Sequence, residues 1–238
     1  MEEIKEIYDV LDFYLSNKPL DIDGFPKLVC VEGLSGSGKT TQINKCQELL
    51  EEGGYSVGVV NIPTQSALGR TLRSYYNNDE YFRDTCDLYP WINPLFVAID
   101  LFSAMKKARE ENRDVVLMAR GVVSTYVLYM EHFRKKYKEL AKLEMMKILN
   151  IFFQPSVIYY LDIEPDECKN RLVTRDREDR NRKMDRLENL KVINSAMKNQ
   201  FNTTFSGIRS VLIDGTKSID KVADYIKQDI VENVLVSQ

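Results

Sequence analysis

The sequence has 238 residues, of which 44% are hydrophobic, and 33 Lys and Arg against 36 Asp and Glu give a formal net charge of -3. This composition is typical of a globular protein with a packed core, and it lacks the basic excess that favours nucleic acid or an anionic membrane as a partner. The single histidine, His132, excludes a multi-histidine metal site. The four cysteines form no C-x-x-C pair, which disfavours a zinc site or a disulfide framework.

The first residues, MEEIKEIYD, are acidic and do not resemble a signal peptide. No apolar run approaches the roughly 18 residues that a membrane span needs, so we expect a cytoplasmic protein. Apolar residues at helical spacing between Ile4 and Leu15 predict an amphipathic helix in an N-terminal extension over 1–26. The extension would either pack on the core or contact a partner, and a single domain is predicted over 27–238.

Short apolar runs alternate with helical stretches along the rest of the chain. The runs predicted as strands cover 27–32, 55–60, 115–118, 157–161 and 211–213, and the stretches predicted as helices include 95–108 and 140–152. A helix is also predicted after residue 38, ending at Gly53 and Gly54. This alternation is typical of an α/β protein whose parallel sheet is covered by helices on both faces.

Residues 33–40, GLSGSGKT, fit the pattern G-x-x-x-x-G-K-[ST] between a predicted strand and a predicted helix. In this pattern, backbone N–H groups form a concave anion site that opens onto a helix N-terminus. Glycine is required where the backbone adopts angles that a side chain would obstruct. Lys39 would reach the β- and γ-phosphates of a nucleotide, the Thr40 hydroxyl would bind Mg²⁺, and Thr41 would help to cap the helix. The pattern predicts nucleotide binding without saying what is done with the nucleotide.

A second concentration of charge lies between Lys169 and Lys191, where nine basic and five acidic residues give a local charge of +4 against -7 for the rest of the chain. One interpretation is a solvated helix with internal ion pairs. The other is an arginine-rich lid, over about 174–185, that closes on phosphates, because arginine stabilises the charge of a phosphoryl group in transfer.

Several segments in chain order resemble the thymidylate kinase family of P-loop nucleoside monophosphate kinases: VEGLSGSGKTTQ, NIPTQSALGRTLR, PLFVAID, VVLMARGVVST, YYLDIEPDECKNR, KMDRLEN and VLIDGTKSIDKV. The resemblance covers about 27–229. It implies the three-layer P-loop NTPase sandwich, with a five-stranded parallel sheet, and a flexible lid. It also implies ATP with Mg²⁺ as donor and a nucleoside monophosphate as acceptor, with small-molecule nucleotides rather than nucleic acid as partners, and it leaves a homodimer open.

The resemblance also implies roles for individual residues. Arg120 matches an arginine that holds the acceptor phosphate, and Phe96 matches an aromatic that stacks on the acceptor base. The candidate catalytic residues are Lys39, Arg120, Arg175, Arg177 and Arg180. The candidate ATP-binding residues are Gly33, Ser35, Gly36, Ser37, Gly38, Lys39, Thr40, Thr41, Arg171, Gly215 and Lys217. The candidate acceptor-binding residues are Arg73, Phe96, Asp100, Arg120 and Arg186, and the candidate metal ligands are Thr40 and Asp162.

Four positions depart from the family pattern. Ser35 and Ala119 replace acidic residues, Ile62 replaces a glutamate, and Asp100 lies where an arginine normally reads thymine. As a hydrogen-bond acceptor, Asp100 would favour a base edge that carries an amino group, as in cytosine or adenine. Besides a nucleoside monophosphate kinase, the pattern leaves open a deoxynucleoside kinase and a nucleotide-binding protein whose kinase site has degenerated.

Overall fold

A computed structural model describes residues 23–77, 92–133, 153–174, 185–201, 205 and 207–235. The predicted N-terminal helix, the predicted helix over 140–152 and most of the predicted lid lie outside these residues. The predicted boundary at residue 26 stays a prediction. No helix in the described part of the chain is long and apolar enough to cross a membrane.

Strands and helices alternate along the described chain, as the apolar runs predict. The strands are β1 (Lys27–Glu32), β2 (Val57–Val60), β3 (Val115–Ala119), β4 (Val157–Asp162) and β5 (Ser210–Asp214). The helices are α1 (Lys39–Glu52), α2 (Ala67–Asn77), α3 (Ile92–Glu110), α4 (Val122–Phe133), α5 (Pro165–Thr174), α6 (Leu187–Phe201) and α7 (Ile219–Ile230), and α7 continues into a short π-helix, Val231–Leu235.

The five strands form one parallel sheet in the order β2-β3-β1-β4-β5. In the central pairs, Val29 of β1 is in register with Leu117 of β3 and with Val157 of β4. Consecutive strands are therefore not neighbours around β1, and the chain crosses from one side of β1 to the other. In such sheets, ligands bind beyond the carboxyl ends of the strands where the strand order reverses. The residues that follow β1, β3 and β4 are therefore the first place to look for a site.

The described residues fall into two compact units. The first contains residues 23–26, 60–77, 92–112, 128–133 and 153–154. Within it, the rings of Phe25, Phe102 and Phe153 form an aromatic cluster with centroids 5.0 to 6.2 Å apart. The guanidinium group of Arg109 lies over the Phe25 ring, 4.9 Å from its centroid. This cluster anchors the segment that leads into β1 to the helix α3.

The second unit contains the described residues of 27–59, 113–127 and 155–235. One sheet face packs against α1, α7 and the π-helix, in a core that includes Val29, Leu117, Ile226 and Val234. On β4, adjacent residues point to opposite faces: the Tyr159 hydroxyl donates to Asp229 of α7, and that of Tyr160 donates to Asn194 of α6. Helices therefore cover both faces, which confirms the predicted three-layer α/β architecture.

A polar cluster centred on Asp229 joins α7 to the sheet. The Asp229 carboxylate accepts hydrogen bonds from Tyr159 (2.5 Å), from two nitrogens of Arg209 (2.6 and 2.8 Å) and from Asn233 (2.9 Å). The bonds from Arg209 hold the pKa of Asp229 below its usual value. Burial, followed by the bond to Asp229, raises the pKa of Tyr159 well above its usual value. The cluster therefore requires an ionised Asp229 and a neutral Tyr159.

Candidate active site

The loop between β1 and α1 has the backbone of an anion site. Gly33, Gly36 and Gly38 have positive φ angles of 141°, 86° and 93°, values that L-residues with side chains rarely adopt. A tight turn joins the Ser37 N–H to the Leu34 carbonyl at 3.1 Å. The Ser37 hydroxyl is buried and has no hydrogen-bond partner among the described residues. A buried hydroxyl costs free energy unless it is paired, so its location in this loop favours a polar ligand there.

Lys39 begins α1, and its ammonium group folds back over the loop. Its Nζ donates to the carbonyl oxygens of Gly33 (2.9 Å) and Leu34 (2.6 Å). The side chain is only 7% exposed. Burial, and after it the positive charge of Arg120, lowers the pKa of Lys39 well below its usual value. The loop therefore holds a desolvated cation beside its backbone amides, the combination that binds phosphate.

The backbone of α5 limits the size of the loop. A Cβ atom built on Gly36 would lie 2.4 Å from the carbonyl oxygen of Cys168. Backbone cannot give way as the end of a flexible side chain can, so residue 36 must be glycine in this arrangement. Residue 36 therefore cannot supply a cationic side chain to the loop.

Arg120 follows β3, next to β1, and its side chain reaches the loop. Its backbone N–H donates to the Val31 carbonyl at 3.2 Å, and its Nη2 donates to the Ser35 hydroxyl at 2.8 Å. Arg120 has a φ of 66°, a left-handed conformation that is uncommon outside glycine and that persists where the surroundings impose it, as they often do at functional sites. Burial lowers the pKa of Arg120, and the charge of Glu32 opposes that change. The predicted loop residue Ser35 and the predicted phosphate ligand Arg120 are thus in direct contact.

Glu32, the last residue of β1, is a member of the site that the sequence did not reveal. It is fully buried and accepts hydrogen bonds from the turn that follows Arg120. The available signal was a charged residue that follows four apolar residues at the end of the strand KLVCVE. That signal is weak, because charged residues commonly end strands where the chain leaves the sheet.

The two predicted metal ligands lie at the carboxyl end of the sheet. One is in the helix that follows β1, and the other ends β4, the strand next to β1. Thr40 is exposed in the first turn of α1, which follows β1. Asp162 ends β4, and its Oδ1 lies 2.7 Å from the ammonium group of Lys198. Among the described residues, no group of three His, Cys, Asp or Glu side chains could hold a metal ion. A hydroxyl and one carboxylate nevertheless suit Mg²⁺, which takes most of its remaining ligands from water and substrate phosphates.

The predicted donor-base loop follows β5. The Gly215 N–H donates to the Asp162 carbonyl at 3.0 Å, which fixes the loop beside the end of β4. Lys217 is exposed, and Asp214 closes the turn by accepting from the Thr216 hydroxyl at 2.6 Å. Arg171 in α5 pairs with Glu167, with an Nε–Oε1 distance of 2.8 Å. The fold brings Gly215 to the strand edge that carries the phosphate loop.

The predicted acceptor residues Arg73, Phe96 and Asp100 belong to the first unit. Phe96 is partly buried and lies one helical turn before Asp100 on α3, so the two share a face. Arg73 is exposed on α2, and its Nη2 donates to the Pro63 carbonyl. Arg186 is exposed just before α6. Arg175, Arg177 and Arg180 lie outside the described residues.

Asp100 is fully buried, and its hydrogen bonds to the described residues lie within this unit. Its carboxylate accepts from the Thr64 N–H (2.7 Å), the Thr64 hydroxyl (2.5 Å) and the Ser66 hydroxyl (2.8 Å). Ser66 in turn caps α2 by accepting from the Gly69 N–H at 2.8 Å. Three of about four acceptor positions of the carboxylate are thus used. Contact between Asp100 and a base stays a prediction, and the anchoring of the turn over 63–66 is a role that the sequence did not suggest.

The fold and the second unit define a class: a P-loop nucleotide-binding protein with a cationic site for phosphates. The family model for thymidylate kinase matches residues 31–226. A probable thymidylate kinase from Methanosphaera stadtmanae is 26% identical over 209 residues, which cover 86% of this chain and 97% of the relative. A thymidylate kinase from Thermoanaerobacter sp. (strain X514) is 30% identical over 152 residues, covering 61% of this chain and 70% of the relative. One from Maridesulfovibrio salexigens is 26% identical over 212 residues, covering 87% and 95%.

The chain belongs to the thymidylate kinase family. This membership confirms the predicted family, the predicted P-loop fold and the predicted enzyme class, an ATP-dependent nucleoside monophosphate kinase. The roles of individual residues stay predictions, which the contacts described above support to different degrees.

Proposed function

We propose that the protein transfers the γ-phosphoryl group of ATP, bound with Mg²⁺, to the phosphate of a nucleoside monophosphate, with thymidylate as the first acceptor to test. The observation that carries the proposal is the contact between Arg120 and Ser35, 2.8 Å. It places an arginine from the end of β3 against the loop that binds the donor phosphates. Phosphoryl transfer requires cations beside both the donor phosphates and the acceptor phosphate. The contact brings Arg120 to the loop that already holds Lys39.

Different groups of the site bind the phosphates of the donor and of the acceptor. The loop amides and Lys39 hold the β- and γ-phosphates of ATP, and Arg120 holds the acceptor phosphate in line with the γ-phosphorus. Negative charge spreads over the oxygens of the transferred group in the transition state, and fixed cations stabilise it there. The acceptor is a phosphate oxygen that is already ionised, so no side chain has to remove a proton from it. The mechanism needs no imidazole, in keeping with the single histidine of the chain.

Mg²⁺ fits the residues present, since Thr40 offers a hydroxyl and Asp162 a carboxylate. When bound, the ion neutralises charge on the β- and γ-phosphates. The ammonium group of Lys198 lies 2.7 Å from the Asp162 carboxylate. A lid supplied by Arg175, Arg177 and Arg180 completes the set of cations, because Gly36 cannot carry one.

Two observations bear on the choice between thymine and a base with an amino group as the acceptor base. The relatives are named thymidylate kinases, which favours thymidylate. Asp100 in place of an arginine favours a base with an amino group, but three hydrogen bonds already hold its carboxylate. These contacts of Asp100 therefore weaken the argument against thymidylate, and the names of the relatives make it the first acceptor to test.

A coupled assay of ADP release tests the proposal. Each reaction contains the enzyme, ATP, Mg²⁺ and a single acceptor. The acceptors are dTMP, dUMP, UMP, CMP, AMP, thymidine and deoxycytidine. We expect turnover of a monophosphate, with dTMP best, and loss of turnover in Lys39→Ala. Turnover of a nucleoside alone would support a nucleoside kinase instead. ATP binding with no turnover of any acceptor would support a nucleotide-binding protein with a degenerate site.

The proposed reaction requires only small-molecule nucleotides as partners, in the cytoplasm. A homodimer is a separate expectation taken from the family resemblance, and size-exclusion chromatography with light scattering tests it directly.

A further inference from the structure

A buried carboxylate at the end of β1 has no part in the chemistry described above. Glu32 has 0% exposure. Its Oε1 accepts from the backbone N–H groups of Gly121 (2.8 Å) and Ser124 (3.1 Å), and its Oε2 accepts from the Ser124 hydroxyl. A buried ionised carboxylate is costly unless it is fully hydrogen-bonded or paired with a cation. Glu32 meets this condition through its hydrogen bonds to Gly121 and Ser124.

These hydrogen bonds fix the start of α4. The first N–H groups of a helix lack partners within the helix, and a negative charge beside them is favourable. Gly121 and Ser124 provide such N–H groups at the N-terminus of α4. Glu32 therefore ties β1 to the turn between β3 and α4, the turn that contains Arg120.

The conformation of Arg120 needs such support. Its φ of 66° is disfavoured for a residue with a side chain and persists only where the surroundings impose it. The Arg120 N–H is held by Val31, and the next N–H, of Gly121, is held by Glu32. The two residues that end β1 thus hold consecutive N–H groups of this turn, which directs the Arg120 side chain towards Ser35.

Glu32 also places a negative charge near the buried Arg120. Burial lowers the pKa of Arg120, and the charge of Glu32 opposes that change. Because the oxygens of Glu32 bind the turn at 121–124, they do not occupy the guanidinium donors of Arg120, one of which reaches Ser35.

We propose that Glu32 is a positioning residue that holds Arg120 in its left-handed conformation beside the phosphate loop and serves as its fixed counter-charge, leaving its guanidinium donors available for phosphate. The kinetic part of this inference rests on the proposed function, because it assigns Arg120 to the acceptor. The conformational part does not, since it concerns only contacts within the second unit.

The experiment combines Glu32→Gln, Arg120→Ala and the double variant. Glutamine keeps the size of the side chain and can still accept from Gly121, but it removes the charge. With the best acceptor from the monophosphate panel, we expect Glu32→Gln to lower kcat/KM at least about tenfold. In the Arg120→Ala background it should lower kcat/KM less than about twofold, because coupled residues are non-additive. Where turnover of Arg120→Ala is too slow, the Kd of the acceptor replaces kcat/KM.

Asp114→Asn is the matched control. Its carboxylate also binds a backbone N–H at a strand end, that of Ser56 at 2.7 Å, but it lies at the opposite end of β3. We expect its kcat/KM to stay within about twofold of the unchanged protein. An equal loss from Glu32→Gln in both backgrounds, or no loss in either, would overturn the proposal.

A nuclear magnetic resonance measurement of the Arg120 side chain keeps the test independent of the acceptor. In nucleotide-free protein, Glu32→Gln should shift the Arg120 Nε–Hε signal and speed its exchange with water, and Asp114→Asn should leave it unchanged. If Glu32→Gln does not fold, Ser124→Ala should produce a smaller shift in the same direction. An unchanged Arg120 signal in the folded variant would refute the inference. Failure of every acceptor in the unchanged protein would refute the proposed function alone.

Discussion

The Cα of Gly36 faces the carbonyl oxygen of Cys168 so closely that a Cβ atom there would lie 2.4 Å from it. The phosphate loop and helix α5 therefore meet backbone to backbone. This contact leaves no room for a side chain at residue 36, so no cation can come from that position. In the proposed mechanism, the remaining cations must come from the chain that follows α5, the segment predicted as a lid.

Gly36→Ala should therefore damage the loop beyond the strain of a positive φ. Gly54 is the matched control, since it has the same φ of 86°, but a Cβ atom added to it would have no neighbouring atom within 4 Å. We expect Gly54→Ala to lower the free energy of unfolding by about 1–2 kcal/mol without changing ATP affinity. Gly36→Ala should weaken ATP binding at least about tenfold. Calorimetric titration with ATP measures this, and equal ATP affinity in the two variants would contradict the contact with Cys168.

The contact between Ser35 and Arg120 gives a second prediction. Ser35→Ala removes the acceptor of a hydrogen bond from a charged group, worth about 1.5–3 kcal/mol where buried and less at this partly buried position. We expect the KM of the acceptor monophosphate to rise about fivefold to tenfold and that of ATP to change little. Ser35→Asp should restore acceptor affinity, because a carboxylate makes a stronger bond with a guanidinium group. An acceptor KM that does not change in Ser35→Ala would show that this bond does not position Arg120.

Asp100→Asn separates two roles of that carboxylate. The hydrogen bonds from Thr64 and Ser66 predict a structural effect, since an asparagine amide cannot accept all three. We expect the free energy of unfolding to fall by about 1–3 kcal/mol, and the order of preference among acceptor monophosphates to stay the same. Urea denaturation and the acceptor panel provide the two measurements. A changed order of acceptors would instead support direct contact between Asp100 and the base. Thr64→Val is the control, because it removes one donor and leaves the carboxylate.

Asp229 predicts how stability depends on pH. Its pKa is lower in the folded protein than in the unfolded chain, so its contribution is complete above about pH 5 and is lost as pH falls below about 4. Asp229→Asn should lower the free energy of unfolding at pH 7 by about 1–3 kcal/mol. The difference from the unchanged protein should shrink as pH falls from about 5 to 3.

Tyr159→Phe is the control for the acid range. It removes one donor to Asp229 but leaves the ion pair with Arg209, so it should cost about 1 kcal/mol with a weaker dependence on acid pH. Urea denaturation at several pH values measures both variants. A difference between Asp229→Asn and the unchanged protein that stays constant down to about pH 3 would argue against an ionised Asp229 in the fold.

The sequence predicted the sheet well because its signals are local. The apolar run at 27–32 became β1 with the same bounds, and Gly53 and Gly54 do end α1. The phosphate loop was predictable for the same reason, since glycine spacing directly encodes backbone angles. Family resemblance identified Arg120, which the structure places in contact with Ser35.

Contacts between distant residues were not predictable. Glu32 and Ser124 are separated by 92 positions, and Asp100 and Thr64 by 36. Neither pair has a spacing rule, because the fold alone brings them together. Asp100 was interpreted from the residue that it replaces, whereas its surroundings are set by Thr64 and Ser66. A substitution at a family site position therefore says little about a new role until the neighbours of the side chain are known.

The cluster around Asp229 has a consequence for folding during synthesis. Residues 219–235 supply Ile226, Ile230 and Val234 to the core, and Asp229 accepts the hydroxyl of Tyr159 in the middle of β4. Until this segment has left the ribosome, the sheet face that it shares with α1 lacks part of its cover. The phosphate loop, although encoded early in the chain, therefore rests on a core that the last helices complete.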